Sequence, residues 1–194
     1  MEDLLFLATP FIIGLLHCIE PDHLIAVSSL VRDKEALLRD MVKGVSWGAG
    51  HSVPVLGLGV LYLFFNLTFS KHLNSELPVG LMLIILSLLR LRLILKSNKQ
   101  KKNPASNFSF LSVGAVHGLA GTVSIVALLS SKQTGAFNQL FFLALFCIGL
   151  MSGMSIMTGM LSRILPLISK IKMARAIVPL TSMVYGLVII LQNV

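Results

Sequence analysis

Charge is what this sequence most lacks. Only 12% of its 194 residues are Asp, Glu, Lys or Arg, about half the share of an average soluble domain. That scarcity excludes a disordered chain and a soluble enzyme core. Acidic residues are rarer still, eight against 16 Lys and Arg. Cysteine is confined to Cys18 and Cys147, both inside apolar stretches, which excludes an extracellular disulfide framework. No nucleotide-binding glycine loop, Cys-x-x-Cys or His-Glu-x-x-His pattern occurs.

What is present is apolar: 55% hydrophobic residues and a mean hydropathy of +0.87. Six long apolar runs stand out, at 4–31, 42–65, 77–95, 108–131, 138–162 and 176–194. Six spans of about 22 residues use roughly 130 positions and leave no room for a separate soluble domain. The chain therefore reads as one all-α, polytopic transmembrane domain, 1–194. The first run does not read as a signal peptide, because Glu2 and Asp3 precede it and no small-residue cleavage site follows.

The net charge of +8 is unevenly placed. Arg32, Lys34, Arg39 and Lys43 follow the first run; Arg90, Arg92, Lys96, Lys99, Lys101 and Lys102 end or follow the third; Arg163, Lys170, Lys172 and Arg175 follow the fifth. The alternate loops hold only Lys71 and Lys132. The positive-inside rule then predicts three cytoplasmic loops and both termini outside, in a cytoplasmic (inner) membrane. Orientation accounts for the basicity, so the partner it implies is the lipid bilayer and no nucleic acid. Arg90 and Arg92 are expected to carry their charge to the interface on long stems.

Three spans per half require any repeat to be inverted. A shift of 100 residues lays Gly14-Leu15-Leu16-His17 over Gly114-Ala115-Val116-His117, Ile25 over Ile125 and Ser52 over Ser152. We therefore expect two inverted three-helix repeats, 1–95 and 108–194, joined by a basic linker at 96–107, a recurrent transporter plan. Gly44-x3-Gly48, Gly114-x3-Gly118 and Gly149-x3-Gly153 read as helix contacts. Met151, Met154, Met157 and Met160 read as flexible packing rather than a soft-metal path. Asn66-Leu67-Thr68 matches a glycosylation acceptor and carries no weight here.

Against this background Glu20 and Asp22 are the only carboxylates deep in a span, and they share a segment with His17 and His23. On a regular helix His17, Asp22 and His23 point at about 0°, 140° and 240°, too splayed for one small site. Pro21 removes an amide donor and clashes with the carbonyl of residue 17, so the helix is expected to be interrupted there. The opened turn then lets His17, Asp22 and His23 converge. By helical rise His17 lies roughly 20 Å below the outer end of its span, and His51 and His117 about 14 Å from the cytoplasmic ends of theirs. Four of five histidines thus fall near the bilayer midplane beside two carboxylates, and only His72 falls in a loop. Intramembrane ionisable groups mark a site or pathway. Imidazole with carboxylate suits nickel, cobalt, zinc or copper rather than calcium or magnesium.

These segments resemble the nickel/cobalt transporter family, especially its shorter urease-accessory-type nickel permeases. His17-Cys18-Ile19-Glu20-Pro21-Asp22-His23-Leu24 matches the family's His-x4-Asp-His helix. Trp47-Gly48-Ala49-Gly50-His51-Ser52 matches its Gly-His-Ser/Thr helix, and His117-Gly118-Leu119-Ala120-Gly121-Thr122 is similar to a His-Gly-Leu-Ala-Gly stretch of the shorter members. The resemblance implies a non-enzymatic permease, with Ni2+ or Co2+ as substrate rather than prosthetic group. It places His17, Asp22, His23 and His51 in metal recognition and carries over to His117; Glu20 and Ser52 are read beside them as supporting or proton-coupling groups. It also implies urease or hydrogenase maturation proteins as partners. The later acidic motif of the eight-span members is absent, since the last three runs hold no carboxylate. Uptake is the expected direction, although the wider family includes exporters. A zinc metalloenzyme inside the membrane and a thiol or anion carrier are the competing readings.

Overall fold

The computed structural model describes residues 2–31, 36–65, 76–95, 105–130, 135–168 and 174–193. Within these the chain is all-helical, with seven helices: α1 Glu2–His17, α2 Pro21–Leu30, α3 Leu37–Phe65, α4 Leu77–Leu95, α5 Asn107–Ser130, α6 Ala136–Ile168 and α7 Ala174–Asn193. Each coincides with an apolar run of the sequence, except that the first run is divided between α1 and α2. α6 extends six residues beyond the expected end at 162, carrying Pro166 in its final turn. Most of the 96–107 linker, the Asn66–Thr68 acceptor and His72 lie outside the described residues.

Pro21 does interrupt the first run, by a complete break rather than a kink. α1 stops at His17, and the carbonyl of His17 accepts a bond from the Glu20 amide at 3.2 Å. Glu20 is extended (φ −59°, ψ 143°), the conformation forced on a residue before proline. Pro21 then opens α2 at a position where its missing amide costs nothing. The two helices are bent by 56°.

α3 packs against α5 and α6, α1 against α6, and α4 against α7, while α2 reaches α4, α7 and α5. Trp47, Phe110, Phe146, Leu150 and Met154 form the centre of the main core. Met154 and Met157 are buried whereas Met160 is 57% exposed, as packing residues spread around a helix should be. Both cysteines are buried and free. Each of the three small-residue patterns lies at a helix contact: Gly44 faces Met154, Gly114 faces Trp47, and Gly149 faces Phe11. A contact the sequence did not announce joins α4 to α7, where Gly80 and Gly186 face each other and the Ser182 hydroxyl donates to the Leu83 carbonyl at 3.1 Å.

Arg90, besides the expected reach toward the interface, has a partner: its guanidinium donates to the Val31 carbonyl at 3.1 Å, and Val31 is the residue that ends α2. A cation there satisfies an orphan carbonyl and complements the negative end of the helix. The buried Asp40 of α3 pairs with Arg163 of α6 at 3.6 Å.

Among the described residues, one helical segment, Ala136–Leu167, is long and apolar enough to cross a membrane by itself, and Ala8–His17 with Pro21–Leu30 passes as a bent pair.

A candidate metal centre at the broken helix

The break after His17 brings together what a continuous helix would splay. His17 ends α1, while Asp22 and His23 occupy the first turn of α2. His51 projects from α3 and His117 from α5. The ring of His23 lies 4.6 Å from that of His17, 5.2 Å from His51 and 5.1 Å from His117 (centroid to centroid). All four imidazoles are buried, His51 and His117 to 1% exposure and His23 to 2%. Asp22 retains 23% side-chain exposure and Glu20 49%, so the carboxylates mark the open side of the cluster.

Hydrogen bonds fix which ring atoms face inward. His17 Nδ1 donates to Glu20 Oε1 at 2.5 Å, His23 Nδ1 to Asp22 Oδ1 at 2.9 Å, and His117 Nδ1 to the Val113 carbonyl at 3.3 Å. Holding the proton on Nδ1 leaves a lone pair on Nε2 in each ring. Those Nε2 atoms, together with Nδ1 of His51, are buried and make no hydrogen bond. Buried nitrogen acceptors without donors are costly, and imidazoles oriented by carboxylates or carbonyls are the usual arrangement around a metal.

Ligand-type atoms form two sets, each mutually within 4.8 Å: His17, His23 and His51, and Asp22, His23 and His117. Nε2 of His117 lies 3.7 Å from Asp22 Oδ2. The carbonyl end of α1 points a negative dipole at the cluster, while Asp22 and Glu20 offset the positive start of α2.

All five candidate ligands therefore belong to one cluster made of these two overlapping sets, with Glu20 bonded to His17. Ser52 is buried next in sequence to His51 and lies beside the Cys147 thiol. Sequence reasoning missed Trp47. Fully buried, its ring stacks on His51 (5.2 Å, 19° between planes) and lies 4.7 Å from His23 and 5.3 Å from His117. The signal was available: Trp47 precedes His51 by four residues, which places both on one helix face.

Glu20→Gln tests the carboxylate–histidine pair. An amide in place of the carboxylate weakens both the orientation and the basicity of His17. Affinity for Ni2+, measured by titration calorimetry in detergent, is expected to fall about 10–100-fold.

The fold and site together define an all-helical protein with a buried histidine–carboxylate cluster at a broken helix. Among known proteins the chain is 29% identical over 169 residues to the urease accessory protein UreH of Bacillus sp. (strain TB-90), covering 78% of this chain and 74% of that one. It is 28% identical over 153 residues to the "Putative nickel/cobalt efflux system MJ1092" of Methanocaldococcus jannaschii, covering 76% and 72% respectively. Each similarity covers more than two thirds of both chains. Neither relative is named as an enzyme. No family model and no solved structure matches.

Proposed function

We propose that this protein is a membrane permease for Ni2+ or Co2+, with His17, Asp22, His23, His51 and His117 holding the ion in transit. The observation that carries this reading is the set of four buried imidazoles, each with a buried ring nitrogen that makes no hydrogen bond. Two carboxylates beside them balance a dication and lower the cost of bringing it into an apolar interior. Glu20 supports His17, and Ser52 supports the α3 segment that carries His51. The metal is cargo rather than a resident group.

Six spans in two inverted halves, 1–95 and 108–194, with both termini outside, complete the proposal. Paired contacts support the repeat. Gly14 abuts the Phe146 carbonyl and Gly114 the Trp47 carbonyl; Gly149 abuts the Phe11 carbonyl and Gly50 the Leu111 carbonyl. Each pair maps onto the other by a shift of 99 or 100 residues, as two halves exchanged by a twofold axis require. The α1–α6 contact likewise corresponds to α3–α5.

Uptake is the proposed direction, supplying ion for the maturation of a nickel enzyme, as the urease-accessory name of one relative suggests. The efflux name of the other favours export as the second reading. Purified protein in liposomes enclosing a metal-sensitive dye tests both. Added Ni2+ or Co2+ is expected to enter, and His17→Ala to block it. No flux of either ion, together with metal binding unchanged by His17→Ala, would sink the proposal.

A further inference from the structure

We propose that the cluster offers the cation two overlapping positions that share His23, occupied one at a time during passage. The proposal rests on the permease reading above. It begins from the grouping of the ligand atoms: the five residues do not converge on one point but divide into His17, His23 and His51 on one side and Asp22, His23 and His117 on the other. His23 alone belongs to both.

Chemistry makes the two positions alternatives. Nδ1 of His23 is committed to Asp22 Oδ1, so His23 has a single unpartnered nitrogen to give. An ion held by His17 and His51 uses it, and so does an ion held by Asp22 and His117. Asp22 serves both roles without conflict, because Oδ1 orients His23 while Oδ2 faces His117 at 3.7 Å.

The positions also differ in character. The first is all imidazole and fully buried, and its ligands His17 and His51 lie 5.4 Å apart, centroid to centroid, beneath Trp47 and Phe146. The second includes a carboxylate that keeps 23% exposure. A hydrated cation meets the oxygen ligand first, which suits an ion still carrying water, and then exchanges water for nitrogen as it moves inward. Sharing one ligand means that no step releases the ion into apolar surroundings.

Trp47 helps hold this geometry, since its ring touches His23, His51 and His117 at once. It is also the only tryptophan in the chain, so its fluorescence reports an ion at the cluster.

The test uses the full chain in detergent and in liposomes, with Ni2+ as the probe. The unaltered protein is expected to bind one ion. His117→Ala is expected to bind one ion with three imidazoles counted by X-ray absorption, and His51→Ala one ion with two. Both variants are expected to lose at least about tenfold in uptake rate, the scale seen when one group around a metal is removed. Two ions per unaltered chain would overturn the proposal. So would loss of binding in either single variant equal to that in the double variant, which would indicate one joint site. If the unaltered chain carries neither Ni2+ nor Co2+, the permease reading itself falls; if it carries the ion but the variants behave as one joint site, only the two-position proposal falls.

Discussion

Replacing His23 with alanine is expected to weaken Ni2+ binding by more than about 100-fold, above the 10–100-fold range typical of groups that only orient a ligand. His23 is the centre of the cluster in every sense the geometry provides. Its ring is within 5.2 Å of three other imidazoles and 4.7 Å from Trp47. It supplies an atom to both ligand sets, so no alternative set of three survives its removal. Truncation also strips Asp22 of its hydrogen-bond donor and opens a void against a fully buried tryptophan. Quenching of Trp47 fluorescence by Ni2+ gives the readout, and circular dichroism shows whether the helices persist. His23→Asn, which keeps a donor toward Asp22 but offers no imidazole, separates lost ligation from lost packing: it should bind as poorly as His23→Ala while unfolding closer to the unaltered protein. Met160→Ala serves as the comparison, because Met160 is exposed and belongs to no ligand set. Affinity retained in His23→Asn would show that the imidazole is not a ligand.

Much of this site was legible in the sequence because it is written locally. Proline after an acidic residue, between two histidines, dictates where the helix ends and what conformation Glu20 takes. The i, i+3 spacing of His17 and Glu20 places the carboxylate within reach of the ring. Spacing four residues apart puts Trp47 over His51 by the same helical geometry, although attention to ionisable groups alone passes over it. Partners far apart in the chain were not legible. Nothing near Arg90 indicates that its guanidinium closes the end of α2, 59 residues away. The α4–α7 contact depends on Gly80, which has no small residue four positions away, and on Gly186, whose Ser182-x3-Gly186 spacing was passed over. The division of the ligands into two sets also escaped the sequence. It depends on where α5 places His117 relative to Asp22, a matter of fractions of a helical turn.

The second large effect concerns the glycines that let the helices approach. Gly114→Ala and Gly50→Ala are expected to destabilise the protein by about 3 kcal/mol each, the upper part of the usual range for overpacking. A Cβ at Gly114 would overlap the Trp47 carbonyl, and one at Gly50 the Leu111 carbonyl. The obstacle in each case is backbone, which has no rotamer to adjust, so α3 and α5 must separate. That separation acts directly on the site, because Trp47 and His51 ride on one helix and His117 on the other. Binding of Ni2+ should therefore fall even at temperatures where the variants remain folded. If the two halves are related by an inverted repeat, Gly14→Ala should match Gly114→Ala, and Gly149→Ala should match Gly50→Ala. These pairs meet equivalent carbonyls at the α1–α6 contact. Gly57→Ala is the control, since nothing lies within 4 Å of its added Cβ. There the better helix propensity of alanine should raise stability by up to about 1 kcal/mol. Thermal unfolding in detergent micelles measures all five variants on one scale. Equal stability of Gly114→Ala and Gly57→Ala would mean that α3 and α5 do not approach as closely as described. A severe effect at Gly114 with none at Gly14 would instead break the equivalence of the two halves while leaving the metal centre intact.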